Sequence, residues 1–133
     1  MDMAIELTAG DRVDAVFDGL RVVTDQDGSA PAPFDLFLAS IGTCAGIYVA
    51  RFCRQRGVPS AGIRIAQRAR EDEATGLIGR IEIDIVLPEG FPERYREAVV
   101  RAASLCTVKK HLAAPPAIDV RAVHGGPEVV ASR

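Results

Sequence analysis

The sequence has no tryptophan, and aromatic residues make up only 5 % of its 133 positions. Aromatics interleaved with basic residues, the pattern that stacks nucleobases, are therefore missing. Positive charge is not in excess either. Sixteen Lys and Arg stand against eighteen Asp and Glu, a formal net charge of −2, which excludes a general electrostatic grip on nucleic acid. Histidine is scarce: His111 and His124 are thirteen positions apart, and no Cys-x-x-Cys occurs. Metal-ligand spacing is absent, so no metal and no cofactor are expected. The opening Met1-Asp2-Met3 has neither the basic start nor the apolar stretch of an export leader. The longest uncharged apolar run, Leu36 to Ala50, reaches only about 22 Å as a helix, short of the roughly 30 Å core of a bilayer, so no membrane partner is expected. Three cysteines without an export leader point to free thiols in a reducing, cytoplasmic setting rather than to a disulfide scaffold.

What is present is an ordinary globular composition, 48 % apolar and 26 % charged, sized for a single domain over residues 1–133. No repeat or low-complexity linker divides it. Ile5 and Leu7 alternate with polar neighbours, as do Val13, Ala15 and Phe17. Asp18-Gly19 signals a hairpin turn into a third strand, Leu20 to Val23. A loop with Gly28, Ser29 and Pro31 leads to Pro33, suited to the first turn of a helix. That helix runs from Phe34 to a stop at Gly57 and Pro59, apolar nearly all round, and is expected to run buried through the middle of the protein. Ile63 to Arg70 and Leu77 to Leu87 form a hairpin across Glu73-Ala74-Thr75-Gly76, with Ile81, Ile83, Ile85 and Leu87 on one face. Pro92 and Glu93 open a second helix carrying Tyr95, Ala98, Val99, Ala102 and Cys106. Thr107 is a candidate N-cap for a further helical turn, and Ala117 to Val123 closes as a last strand. The class is α+β, two helices on antiparallel sheet. So apolar a central helix is expected to need covering by a second copy of the chain.

Cys44 lies mid-helix among small residues. Gly42 and Gly46 each cost about 1 kcal/mol relative to Ala there, so they serve close approach of a backbone or ligand rather than stability. On a helical wheel Phe37, Ser40, Tyr48 and Arg51 lie within about 40° of Cys44, whereas Cys53 is about 180° away. Cys44 thus shares its stripe with a hydroxyl, a phenol and a guanidinium, and a cation favours thiolate. The competing reading is a small buried hydrophobe. Cys106 precedes Thr107-Val108-Lys109-Lys110-His111, whose positive potential also favours a thiolate; the competing reading is a helix-end residue beside a solvated basic patch. Cys53 reads as structural. Together, Cys44 and Cys106 are what a peroxidatic and resolving pair requires. The six arginines between Arg51 and Arg70 read as a solvated helix end and strand face.

The segment Pro33-Phe34-Asp35-Leu36-Phe37-Leu38-Ala39-Ser40-Ile41-Gly42-Thr43-Cys44, with Leu105-Cys106-Thr107-Val108 far downstream, resembles the OsmC/Ohr family. The resemblance implies that family's fold, antiparallel sheets around a long buried central helix, in an intertwined homodimer with active sites at the subunit interface. It implies a thiol-dependent peroxidase acting on organic hydroperoxides, with Cys44 peroxidatic, Cys106 resolving and a cellular dithiol as reductant. Peroxidase members of the family pair a Glu directly after the Pro with an Arg from the N-terminal strands. Here Phe34 holds that place and Asp35 follows it, so Asp35 is the candidate acid, with Arg12, which follows the Ala9-Gly10 turn, as its arginine and Arg21 as the second choice. The alternative function is a non-catalytic redox-sensitive or small-molecule-binding dimer of the same fold.

Overall fold

The computed structural model describes residues 1–124; the end of the expected single domain, residues 125–133, lies outside the described residues. Its described residues are α+β and divide into two compact units, one of residues 1–37 with 117–124, the other Leu38–Pro116.

In the first unit three short strands, β1 (Ala4–Leu7), β2 (Val13–Phe17) and β3 (Leu20–Thr24), form an antiparallel sheet in that order. The β2–β3 hairpin closes on Asp18 and Gly19 with φ of 48° and 73°. Both central residues thus take the left-handed conformation that the twist of a two-residue hairpin demands, and the Asp-Gly pair tolerates it. Helix α1 (Pro33–Gln55) begins here. Asp35, its third residue, accepts the N–H of Ala32 at 2.9 Å, the carboxylate half of a capping box.

The second unit contains most of α1, the hairpin β4 (Arg64–Glu71) and β5 (Ile78–Val86), a 3₁₀ turn (Glu93–Tyr95), α2 (Arg96–Ser104) and α3 (Thr107–Ala113). Gly57 ends α1 at φ 63°. Its N–H reaches the Arg54 carbonyl at 3.3 Å, and the Val58 N–H reaches that of Cys53 at 2.9 Å, the paired bonds of a Schellman turn. Ala45, Val49, Phe52 and Cys53 form the core with Phe91, Val99 and Ala103, and Ile65, Ile83, Ile85 and Leu87 of the hairpin pack against it. The opposite hairpin face carries cross-strand ion pairs, Arg68–Asp84 at 2.6 Å and Arg70–Glu82 at 2.9 Å. Although 23 residues of this hydropathy are long enough to cross a bilayer, Ala45, Val49 and Phe52 are packed as in the core helix of a folded domain.

Within the described residues α1 buries one stripe, Ile41, Ala45, Val49, Phe52 and Cys53, while Phe34, Phe37 and Ile47 are exposed. Two expectations are corrected. Ala117 to Val123 forms no strand, since none of the described strands pairs with it. The N-cap of α3 is Cys106, and Thr107 is already its first helical residue.

Candidate functional site

The side of α1 that holds the two glycines faces β4. Gln67 of β4 donates its amide Nε2–H to the Leu38 carbonyl at 2.9 Å, and its Oε1 would lie 2.7 Å from any Cβ added at Gly42. Gly46 faces Ile65, whose Cδ1 would meet an added Cβ at 3.5 Å. The close approach that Gly42 permits is therefore made by a side chain of the neighbouring strand. Gln67 Oε1 is buried without a hydrogen-bond partner among the described residues, beside a cavity of about 580 Å³ lined by Gly42, Thr43, Gly46 and Gln67.

On the adjoining stripe Cys44 is half-buried. One turn later the Tyr48 hydroxyl hydrogen-bonds with the Thr107 hydroxyl at 3.2 Å, and Arg51 lies over the Tyr48 ring at 6.0 Å. Thr107 directly follows Cys106, so this bond ties the helix stripe of one thiol to the segment of the other. Helical spacing identified Tyr48; its partner, 59 positions away, had no signature beyond its place next to a cysteine.

Cys106 is 1 % exposed. Its Sγ accepts the Lys109 N–H at 3.3 Å, satisfying one of the orphan donors at the start of α3. The same residue lines a second cavity of about 340 Å³ with Ile41, Ala45, Ile81, Ile83 and Ile85. Its volume falls in the range of small-molecule sites, and its wall is mostly apolar with a thiol set into it. Cys53 is buried in the core, and burial pushes its thiol pKa up, so it is held protonated. All three cysteines are free.

The candidate acid and arginines lie in the first unit. Arg12 grips Asp14 with two bonds, Nε to Oδ1 at 3.0 Å and a terminal nitrogen to Oδ2 at 2.9 Å. Arg21 donates to Asp14 and to Glu6, each at 2.8 Å. The Arg12 hydrogen bonds, reinforced by Arg21, hold the Asp14 carboxyl below the usual carboxylate range. Asp35 serves the start of α1 instead, and among the described residues no ion pair joins it to Arg12 or Arg21. Asp14 was not among the expected site residues, although Arg-x-Asp at the start of a strand with a second Arg on the next was a legible signal. Among the described residues no group of three or more His, Cys, Asp or Glu side chains is placed to hold a metal ion.

Comparison with known proteins places this arrangement. The fold is similar to a protein of Psychrobacter arcticus 273-4 named as osmotic stress induced and detoxification response, with a TM-score of 0.70 and 17 % identity over 83 % of this chain and 86 % of that one. It is similar to a hypothetical protein from Aquifex aeolicus VF5, at TM-score 0.71 and 20 % identity over 86 % and 87 % of the two chains. An OsmC like protein from Mycoplasma pneumoniae gives a TM-score of 0.61 at 13 % identity, over 86 % and 87 %. At these identities the likeness is one of fold alone. No curated protein matches the sequence. The family model described as OsmC-like protein matches residues 26–121, and the chain belongs to the OsmC-like family.

Proposed function

We propose that this protein is a thiol-dependent peroxidase that reduces organic hydroperoxides, with Cys44 peroxidatic and Cys106 resolving. The observation that carries the reading is the Tyr48–Thr107 hydrogen bond, which links the stripe of Cys44 to the segment of Cys106. The detoxification response named for the Psychrobacter relative is of the same kind.

In the reaction the Cys44 thiolate attacks the terminal oxygen of the hydroperoxide. The O–O bond breaks, the alkoxide takes a proton and leaves as the alcohol, and Cys44 becomes a sulfenic acid. The Cys106 sulfur then attacks the sulfenic sulfur, expelling water and forming a disulfide. A cellular dithiol reduces that disulfide by exchange and is itself oxidised.

One equivalent of cumene hydroperoxide added to the reduced protein, followed by peptide mass analysis without reductant, tests the proposal. The expected product is a Cys44–Cys106 linked peptide lighter by two hydrogen atoms. Peroxide left unconsumed while both thiols still alkylate overturns it.

A further inference from the structure

A third cavity, of about 400 Å³, shares no lining residue with the one at Cys106. Its walls come from the turn after α1 and from the loop and 3₁₀ turn before α2, and two of its residues are arginines, Arg56 and Arg94. The Schellman turn fixes the backbone at Arg56, whose guanidinium lies 4.0 Å from the Phe52 ring centre and 5.8 Å from that of Tyr95. The Arg94 guanidinium lies 4.8 Å from the same Tyr95 ring. Two cations are thus gathered on one aromatic side chain at one cavity.

No Asp or Glu lines this cavity. Among the described residues neither arginine has a carboxylate within ion-pair distance, and the nearby Glu93 is engaged with Arg96 at 3.8 Å. Stacking occupies the flat face of a guanidinium and leaves its N–H edge available, and that edge matches the paired oxygens of a carboxylate or phosphate. Two like charges at one ring repel, and an anion placed between them turns that repulsion into attraction on both sides. The remaining wall includes Pro59, Pro88 and Phe91, apolar surfaces that accept a hydrocarbon body but offer no charge.

We propose that this cavity binds a small organic oxyanion, its phosphate or carboxylate held by Arg56 and Arg94 and its apolar body against Pro59, Pro88 and Phe91. The volume lies within the range of small-molecule sites. The site is independent of the thiol chemistry, since neither Cys44 nor Cys106 lines it.

The test uses the full-length reduced protein at low ionic strength, where charge-based binding is least screened. Phenyl phosphate, benzoate and neutral benzyl alcohol are titrated separately by calorimetry and by amide chemical-shift mapping. At least one of the two anions is expected to saturate with shifts centred on Gly57, Gly90 and Tyr95, the tighter of them identifying the oxyanion. Benzyl alcohol is expected to bind at least about tenfold more weakly, and Arg94→Gln to weaken the anion by about tenfold. Arg56→Lys keeps the charge without the fork and is expected to weaken it as well. Because Arg56 is stacked on a core ring, Arg94→Gln in the exposed 3₁₀ turn carries the test if the Arg56 variant fails to fold. Neither anion saturating, equal binding of benzyl alcohol, or undiminished binding to Arg94→Gln would each overturn the proposal.

Discussion

Asp14 carries two arginines on a side chain only 1 % exposed, and that makes it the residue through which acid acts on the N-terminal sheet. Its folded pKa is depressed, chiefly by the Arg12 hydrogen bonds. The stability it contributes is therefore fully present above the unfolded value, near 3.9, and is lost as pH falls from there through the folded value. Asp14→Asn is expected to lower Tm at neutral pH and to flatten the acid limb of the stability–pH curve by up to about one proton; thermal melts between pH 2 and 7 measure both. The cysteines divide at the same scale. Cys53 is buried and protonated, so Cys53→Ala should cost about 1–2 kcal/mol of stability and leave peroxide consumption within about twofold. Cys106 has two jobs, thiol and helix cap, and Ser keeps only the second, being a strong N-cap itself. Cys106→Ser is expected to preserve α3 by circular dichroism, to halt turnover with dithiol, and to leave a dimedone-trappable sulfenic acid on Cys44.

The pairing of α1 with the start of α3 at Tyr48 and Thr107 is the link between elements that the proposed reaction uses. Tyr48→Phe removes one hydrogen bond, worth about 0.5–1.5 kcal/mol, without changing the apolar body of the ring. Sulfenic acid formation at Cys44 should proceed at the wild-type rate while closure to the disulfide slows by roughly threefold to tenfold, which stopped-flow peroxide consumption and quenched-alkylation time courses separate. Equal slowing of both steps would assign Tyr48 to the first. Elements were legible where one periodicity dominated. The alternation of Ile81, Ile83 and Ile85 with Arg80, Glu82 and Asp84 fixed β5 because one face is packed and the other pairs charges across the hairpin. The apolar run of α1, with Pro33 at its start and Gly57 at its end, marked the helix to within two residues. Short elements were less legible. The opening turn of the second helix is 3₁₀, and α3 has only seven residues, too few for a periodic signal to stand out. The site divided in the same way: the stripe of Cys44 followed from helical geometry, whereas the contacts of Thr107 and Gln67 join positions far apart in sequence and leave no local pattern.

The segment that disagreed most with its pattern bears on how many chains the protein needs. Ala117 to Val123 alternates Ile118 and Val120 with Asp119 and Arg121, as a half-buried strand does, yet Ile118 is 83 % and Val120 94 % exposed. Phe34 and Phe37, stacked on each other with ring centres 5.5 Å apart, and Ile47 of α1 are exposed as well. Alternation of this kind is useful against a sheet edge, and none of the described strands pairs with this segment. The expected covering is a second copy of the chain, in which this segment pairs as a strand and the uncovered side of α1 is buried. Sedimentation equilibrium of the full-length protein should then give twice the 14.2 kDa chain mass. Ile118→Asp with Val120→Asp removes two apolar side chains that such pairing would bury, at about 1.5 kcal/mol or more each, and is expected to weaken association by at least about a hundredfold. At micromolar concentration that variant should sediment as a monomer and melt at a lower, less concentration-dependent Tm. A wild-type protein that sediments at 14.2 kDa at every accessible concentration would show that the strand pattern of Ala117 to Val123 serves something other than a second chain.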